Sequence, residues 1–142
     1  SRAKEKGFYV GLSSNGTLIN KENIGQIAEV GYDYVGISLD GIGETHDRFR
    51  RMQGAFDASM RAIELCRDLD IKVGIRFTMT ADNAHHLPDM LRLLDEHDID
   101  RFYFSHLNYA GRGNIHRGDD AVFEATRQSM DLLFETCWQI GR

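Results

Sequence analysis

Short runs of β-branched and aromatic residues alternate along the chain with stretches whose apolar positions recur every three or four residues. The first run, Phe8-Tyr9-Val10-Gly11-Leu12, reads as a strand, after which Ile24, Ile27, Ala28 and Gly31 mark one face of a helix. Tyr34 to Leu39 forms a second strand. Its helix runs from about Phe56 to Leu69, with Ala62, Ile63, Cys66 and Leu69 on one side. A third strand spans Val73 to Thr80, and its helix carries Leu87, Met90, Leu91 and Leu94, with Pro88 in a first turn where a missing N–H is tolerated. Phe102 to Leu107 is the fourth strand, and Phe123, Met130, Leu133, Phe134 and Cys137 line a last helix. Four β-α units in succession imply parallel strands, because helical crossovers return the chain to the same end of a sheet. The expected class is α/β, a single domain over residues 1–142 with the helices as its outer wall.

Each strand turns polar toward its C-terminal end: Ser13-Ser14-Asn15, then Ser38 and Asp40, then Thr78 and Thr80, then His106 and Asn108. In folds of this class ligands bind at that end, on the loops that follow the strands. Alternation puts Ser13 and Asn15 on one side, and Gly36, Ser38 and Asp40 on one face opposite Ile37 and Leu39. With Val35, Ile37 and Leu39 packed on the helices, Ser38 and Asp40 look inward, and Gly36 leaves room there for something other than a side chain. The longest irregular stretch, Asp40 to Gly54, is where a functional loop is expected. Taken alone, these residues leave two readings open, since Ser, Asn and Asp in such places also cap helices and shape turns.

Composition narrows the classes. A net charge of −5 speaks against a nucleic-acid surface, and the basic cluster Arg48, Arg50 and Arg51 is too short to make one. No apolar run approaches the roughly 20 residues of a membrane span, and the first residues lack a signal peptide's apolar core. Cys66 and Cys137 stand far apart with no Cys-x-x-Cys partner, which gives no local metal or cluster site and suggests a reducing, cytoplasmic compartment. Both fall in helical patterns and are expected as small core hydrophobes.

Three segments in order resemble the radical S-adenosylmethionine (SAM) family: Ser13-Ser14-Asn15-Gly16-Thr17-Leu18; Val35-Gly36-Ile37-Ser38-Leu39-Asp40-Gly41 with Glu44-x-His46-Asp47-x-x-Arg50; and Arg76-x-Thr78-x-Thr80-x-x-Asn83. The resemblance implies a partial TIM-like barrel, with these β-α units as strands three to six of the family's core. It also implies cofactor-binding roles. Ser38 and Ser13 would donate to the SAM carboxylate and Arg50 would add a charge-assisted bond, a fork that suits a planar carboxylate. Asn15 lies beside Ser13 in the same segment, Asp40 would reach ribose hydroxyls, and the backbone near Leu107 would lie along adenine. The family's Cys-x-x-x-Cys-x-x-Cys loop and its Gly-rich second-strand motif are absent. The expectation is therefore a fragment: SAM and a four-iron four-sulfur cluster belong to a longer parent enzyme, which also needs an electron donor. These residues alone would bind neither and be inactive.

Within the family, Ser105-His106-Leu107-Asn108-Tyr109-Ala110-Gly111-Arg112-Gly113-Asn114, the Asp47–Arg50 loop and the last helix resemble the tetrapyrrole-modifying branch of haem d1 biosynthesis. That branch implies a sirohaem-derived substrate altered at its propionate side chains. Peptide maturation is the alternative within the family, and a non-catalytic α/β ligand-binding module the alternative outside it. A substrate with several carboxylates would favour Arg76, Thr78, His106, Asn108 and Arg112 near the barrel mouth, although each arginine also reads as a solvated surface charge. Four strands leave an edge near Val10 unpaired, so self-association of the fragment is expected.

Overall fold

A computed structural model describes residues 2–99, 101–106 and 123–140. Among them lie four parallel strands in the order β1-β2-β3-β4: β1 Gly11–Ser14, β2 Tyr34–Ser38, β3 Val73–Met79 and β4 Arg101–His106. The helices are α1 Arg2–Glu5, α2 Ile24–Val30, α3 Glu44–Arg50, α4 Ala55–Arg67, α5 Leu87–Glu96 and α6 Phe123–Ile140, with a short 3-10 turn at Ala84–His86 before α5.

One face of the sheet is the core. Val35, Ile37 and Leu39 of β2 and its continuation, and Val73, Ile75, Phe77 and Met79 of β3, are all buried against Ala62, Ile63 and Cys66 of α4 and Leu87, Met90 and Leu93 of α5. Phe77 stacks between Phe102 and Phe104 of β4 at ring distances of 6.0 and 6.1 Å. The other face bears Gly11, Ser13, Tyr34, Gly36, Ser38, Gly74, Arg76, Thr78, Arg101, Tyr103 and Ser105, and it stays exposed along β1 and β4.

Several expectations shift. The first strand begins at Gly11, three residues later than the apolar run. Phe8 is held to the α1 turn by its N–H on the Ala3 carbonyl, and Val10 is held by Asp33, so Phe8 and Tyr9 remain outside the ladder and exposed. Gly11 is needed there, because a Cβ would stand 2.5 Å from the Tyr34 ring. The Asp40–Gly54 stretch is not irregular throughout: it contains α3. Asp47 then accepts from the N–H groups of Gly54 at 2.6 Å and Phe56 at 2.8 Å, capping α4. On α6, Leu132 and Leu133 pack on the core while Phe134 and Trp138 are exposed, so the apolar stripe is rotated from the one expected. Cys66 is a core residue as expected, but Cys137 is exposed. No helix among the described residues is long and apolar enough to cross a membrane.

Ile37 sits at the centre of the packed face with no exposed surface. Ile37→Ala should cost about 3 kcal/mol through lost burial and the cavity left behind. The midpoint of a urea titration measures it; a loss below about 1 kcal/mol would mean that the layer closes around the gap.

Candidate functional site

The β2–β3 ladder ends at Ser38 opposite Arg76. Two residues further on, the backbone groups of Asp40 have no strand partners and take side chains instead. The Asp40 N–H donates to His46 Nδ1 at 2.9 Å, and its carbonyl accepts from Asn83 Nδ2 at 3.0 Å. Asn83 also donates to the Thr78 carbonyl at 2.9 Å and accepts the Thr80 N–H at 2.7 Å, which joins the ends of two strands.

The Asp40 side chain is fully buried. Its Oδ1 accepts the Thr78 N–H at 2.9 Å, and its Oδ2 is paired with the Arg50 guanidinium. Burial pushes the carboxyl up, while Arg50 and the Thr78 N–H pull it back down. Arg50 stays partly open to solvent, yet its Nε is buried with no partner among the described residues. An unsatisfied buried donor costs about 1–3 kcal/mol, so it marks a place where an acceptor is wanted.

Gly41 completes the turn. At φ +148 it adopts a conformation that side chains disfavour, and a Cβ would meet Thr45 Cγ2 at 2.8 Å. Thr45 in turn pairs with His86 Nε2 at 2.9 Å, tying α3 to the turn before α5. His85 is exposed, while His86 is half-buried.

The anticipated residues divide. Ser13 and Ser38 lie on the open face, and neither hydroxyl has a hydrogen bond among the described residues. Asn15 shapes a turn instead, its Oδ1 accepting from the Thr17 N–H at 3.2 Å and hydroxyl at 3.0 Å. Asp40, expected at ribose hydroxyls, engages both carboxylate oxygens within the chain, one with the Thr78 N–H and one with Arg50. Arg76 and Thr78 share the open face. Arg76 stacks over Tyr103 at 5.4 Å and reaches the Tyr34 hydroxyl at 3.3 Å, and Thr78 Oγ1 is 3.4 Å from Ser105 Oγ. The room left by Gly36 is therefore filled: a Cβ there would meet the Tyr34 hydroxyl at 2.9 Å and Arg76 Cδ at 3.2 Å.

His106 is on the other side. It pairs with Met79 and stands edge-on to Phe104 at 5.7 Å, in the row of the packed face. Leu107, Asn108 and Arg112 lie outside the described residues. Arg101 was not anticipated. It donates to the Tyr9 hydroxyl at 2.8 Å and lies over Tyr34 at 5.5 Å, giving the open face a second guanidinium. Its signal was parity with Tyr103 at the start of a strand. His46 and Asn83 were not anticipated either; a polar residue soon after a strand end is the signal Asn83 carries, and His46 lies within α3.

Two groups here have ligand-binding chemistry to spare, the free Ser13 and Ser38 hydroxyls and the unpartnered Arg50 Nε. All can donate a hydrogen bond, which is the chemistry an anionic ligand such as a carboxylate requires. The described residues hold no group of His, Cys, Asp or Glu fit for a metal ion. Cys66 is unsuited to one, since burial pushes its thiol up to about 11.

His46 sets a pH dependence. Burial first, and Arg50 second, press its imidazole down to about 4 from an ordinary 6.5. Protons therefore bind the unfolded chain more readily. Stability is intact above pH about 6.5 and falls as pH drops toward 4, by about 3 kcal/mol across that window. The raised carboxyl of Asp40 works in the opposite direction, so the wild-type minus His46→Asn difference isolates the histidine. Urea titrations at stepwise pH should show that difference fall by about 3 kcal/mol between pH 6.5 and 4; a difference independent of pH would mean that His46 is not held neutral.

The model of the Radical SAM superfamily matches residues 1–94. The pre-heme d1 synthase of Dinoroseobacter shibae is 48% identical over 132 residues, 93% of this chain and 33% of its own length. The Fe-coproporphyrin III synthase of Methanosarcina barkeri is 48% identical over 133 residues, 94% of this chain and 33% of its own length. The chain thus spans about a third of the curated relatives it matches. Among solved structures, native anSMEcpe with bound AdoMet superimposes with a TM-score of 0.73 over 92% of this chain and 36% of that one, at 21% identity, a likeness of fold. With a family match over most of its length and relatives at this identity, the chain belongs to the radical SAM superfamily.

Proposed function

We propose that this chain is part of a radical SAM enzyme that modifies a tetrapyrrole, and that it supplies the AdoMet carboxylate site and part of the substrate-facing wall. The observation that carries the reading is the buried, unpartnered Arg50 Nε close to the strand end where Ser38 keeps a free hydroxyl. Ser13, Ser38 and Arg50 would hold the methionyl carboxylate, with Asp40 setting the Arg50 guanidinium. When bound, AdoMet would supply one-electron chemistry at otherwise unreactive C–H bonds. The four-iron four-sulfur cluster, its electron donor and the adenine contact fall to parts of the enzyme other than the residues described here. Two cysteines without a partner support a reducing, cytoplasmic setting.

The tetrapyrrole reading is supported by the 48% identity to proteins named for haem and coproporphyrin synthesis. It is supported chemically by Arg76, opposite Ser38 on the open face, and by Arg101 toward the N-terminal end of the same face. Both lie over tyrosine rings, and neither is paired with a carboxylate among the described residues. Such a face suits a flat macrocycle fringed with carboxylates, and propionate side chains of a sirohaem-derived substrate would meet that requirement.

Calorimetric titration of AdoMet into the full-length, cluster-loaded enzyme tests the first part. Ser38 has no internal bond to lose, so Ser38→Ala should weaken binding about tenfold with melting temperature unchanged. Arg50→Ala should weaken it by about 1.5–3 kcal/mol and destabilise the fold as well, since Asp40 is left buried and unpaired. Unchanged affinity in both variants overturns the assignment. For the second part, Arg76→Gln with Arg101→Gln should raise the dissociation constant of an iron coproporphyrin at least tenfold, read from its visible absorbance; an unaltered titration returns these arginines to a purely structural role.

A further inference from the structure

His46 is fully buried, has no charged partner of its own, and sits one turn before Arg50 on α3. Its Nδ1 is an acceptor for the Asp40 N–H, which requires that the proton be on Nε2. That Nε2–H has no partner among the described residues. A leucine or phenylalanine would fill the same volume and remove the unmatched Nε2–H, but it would leave the buried Asp40 N–H without its acceptor. Among the described residues the one polar contact of the imidazole is to the backbone of Asp40.

That contact acts at a sensitive place. Asp40 lies beyond the ladder, so no strand fixes its peptide planes. His46 takes the N–H, Asn83 the carbonyl and Thr78 one carboxylate oxygen, which leaves the second oxygen for Arg50. Of these tethers, only His46 is on the same helix as Arg50. It closes a ring from α3 through the Asp40 backbone and carboxylate to the guanidinium and back to α3. The groups around it are Asp47 and Arg50 on α3, Asp40 after β2, and the Phe56 ring of α4 at 6.4 Å.

We propose that His46 is a positioning residue: by accepting the Asp40 N–H it fixes the Asp40 carboxylate, and through it holds the Arg50 guanidinium with Nε kept for an incoming carboxylate. Its functional meaning rests on the AdoMet reading; its structural content does not. Asparagine can place an amide oxygen where Nδ1 stands, glutamine extends toward Nε2 instead, and leucine offers neither. His46→Asn should therefore rescue the function that His46→Gln and His46→Leu lose, although all three give up the packing of the ring.

The first readout needs no cofactor. In NMR of the Arg50 side chain of this chain, wild type and His46→Asn should show a distinct Nε–H with slowed solvent exchange. His46→Gln and His46→Leu should exchange at least tenfold faster. In the full-length enzyme, AdoMet affinity should follow the same order, with His46→Asn within about threefold of wild type and His46→Gln about tenfold weaker. If the leucine variant does not fold, the asparagine and glutamine pair decides. Arg50 exchange that is equally fast in both, or unaltered in both, overturns the proposal and makes His46 a space-filling residue. Unchanged AdoMet affinity in Arg50→Ala, with the exchange pattern as expected, would instead overturn the cofactor reading alone.

Discussion

A carboxylate with no solvent around it, placed just past the end of a strand, organises this molecule. Removing Asp40 from water costs several kcal/mol unless a cation and hydrogen-bond donors replace the lost hydration. Only one strand neighbour is near enough to help, and it offers a single backbone N–H at Thr78. The cation has to come from the chain that follows. Gly41 makes the sharp turn, α3 brings Arg50 back over Asp40, and Asp47 then directs the chain into α4. The path from residue 40 to residue 55 answers the charge of one side chain.

The sheet shows why such a charge is tolerated. Its packed face, with Ile37, Ile75, Phe77 and the α4 and α5 residues against them, carries the hydrophobic stabilisation. The open face is then free to hold groups that stability alone would not select: free hydroxyls at Ser13 and Ser38, and guanidinium groups at Arg76 and Arg101. The tyrosines on that face take the place of apolar filler. Their rings cover the glycine-lined floor of the sheet, and their hydroxyls give the arginines partners other than carboxylates. Cations held in this way keep their charge available to a ligand.

Elements set by local pattern were legible in the sequence, and features set by the return path of a loop were not. The β2 and β3 strands and the α4 and α5 helices have strong periods, and they form within two residues of where those periods place them. The face of Ser38 followed from its parity with Gly36. His106 obeys the same rule: its alternation with Phe102 and Phe104 puts it in the row of the packed face, although a polar residue at a strand end reads as a site residue. The role of Asp40 could not be read in that way. Parity brings it to the inner face, but whether it meets a ligand or Arg50 depends on how α3 folds back, and residue types in a loop do not encode that direction. Gly36 shows the same limit: a missing side chain signals space, and only the neighbouring strands reveal that Tyr34 and Arg76 fill it.

In the reading proposed above, the balance within Arg50 makes the arrangement more than a stabilising ion pair. Had the guanidinium been wholly buried and fully bonded, it would be structural and nothing else. Fully solvated, it would bind anions weakly, since exposed pairs contribute at most about 1 kcal/mol. Here one nitrogen is anchored on a buried carboxylate, part of the group still reaches solvent, and Nε is dry and unmatched. An entering carboxylate would find a donor already stripped of water and already oriented, so the ordering cost that normally weakens a flexible arginine was met when the chain folded. The same logic explains the neutral histidine beside it. A charged imidazole would compete with Arg50 for Asp40 and could not accept the Asp40 N–H. Burial keeps it uncharged, so the site keeps one strong cation aimed by one fixed anion.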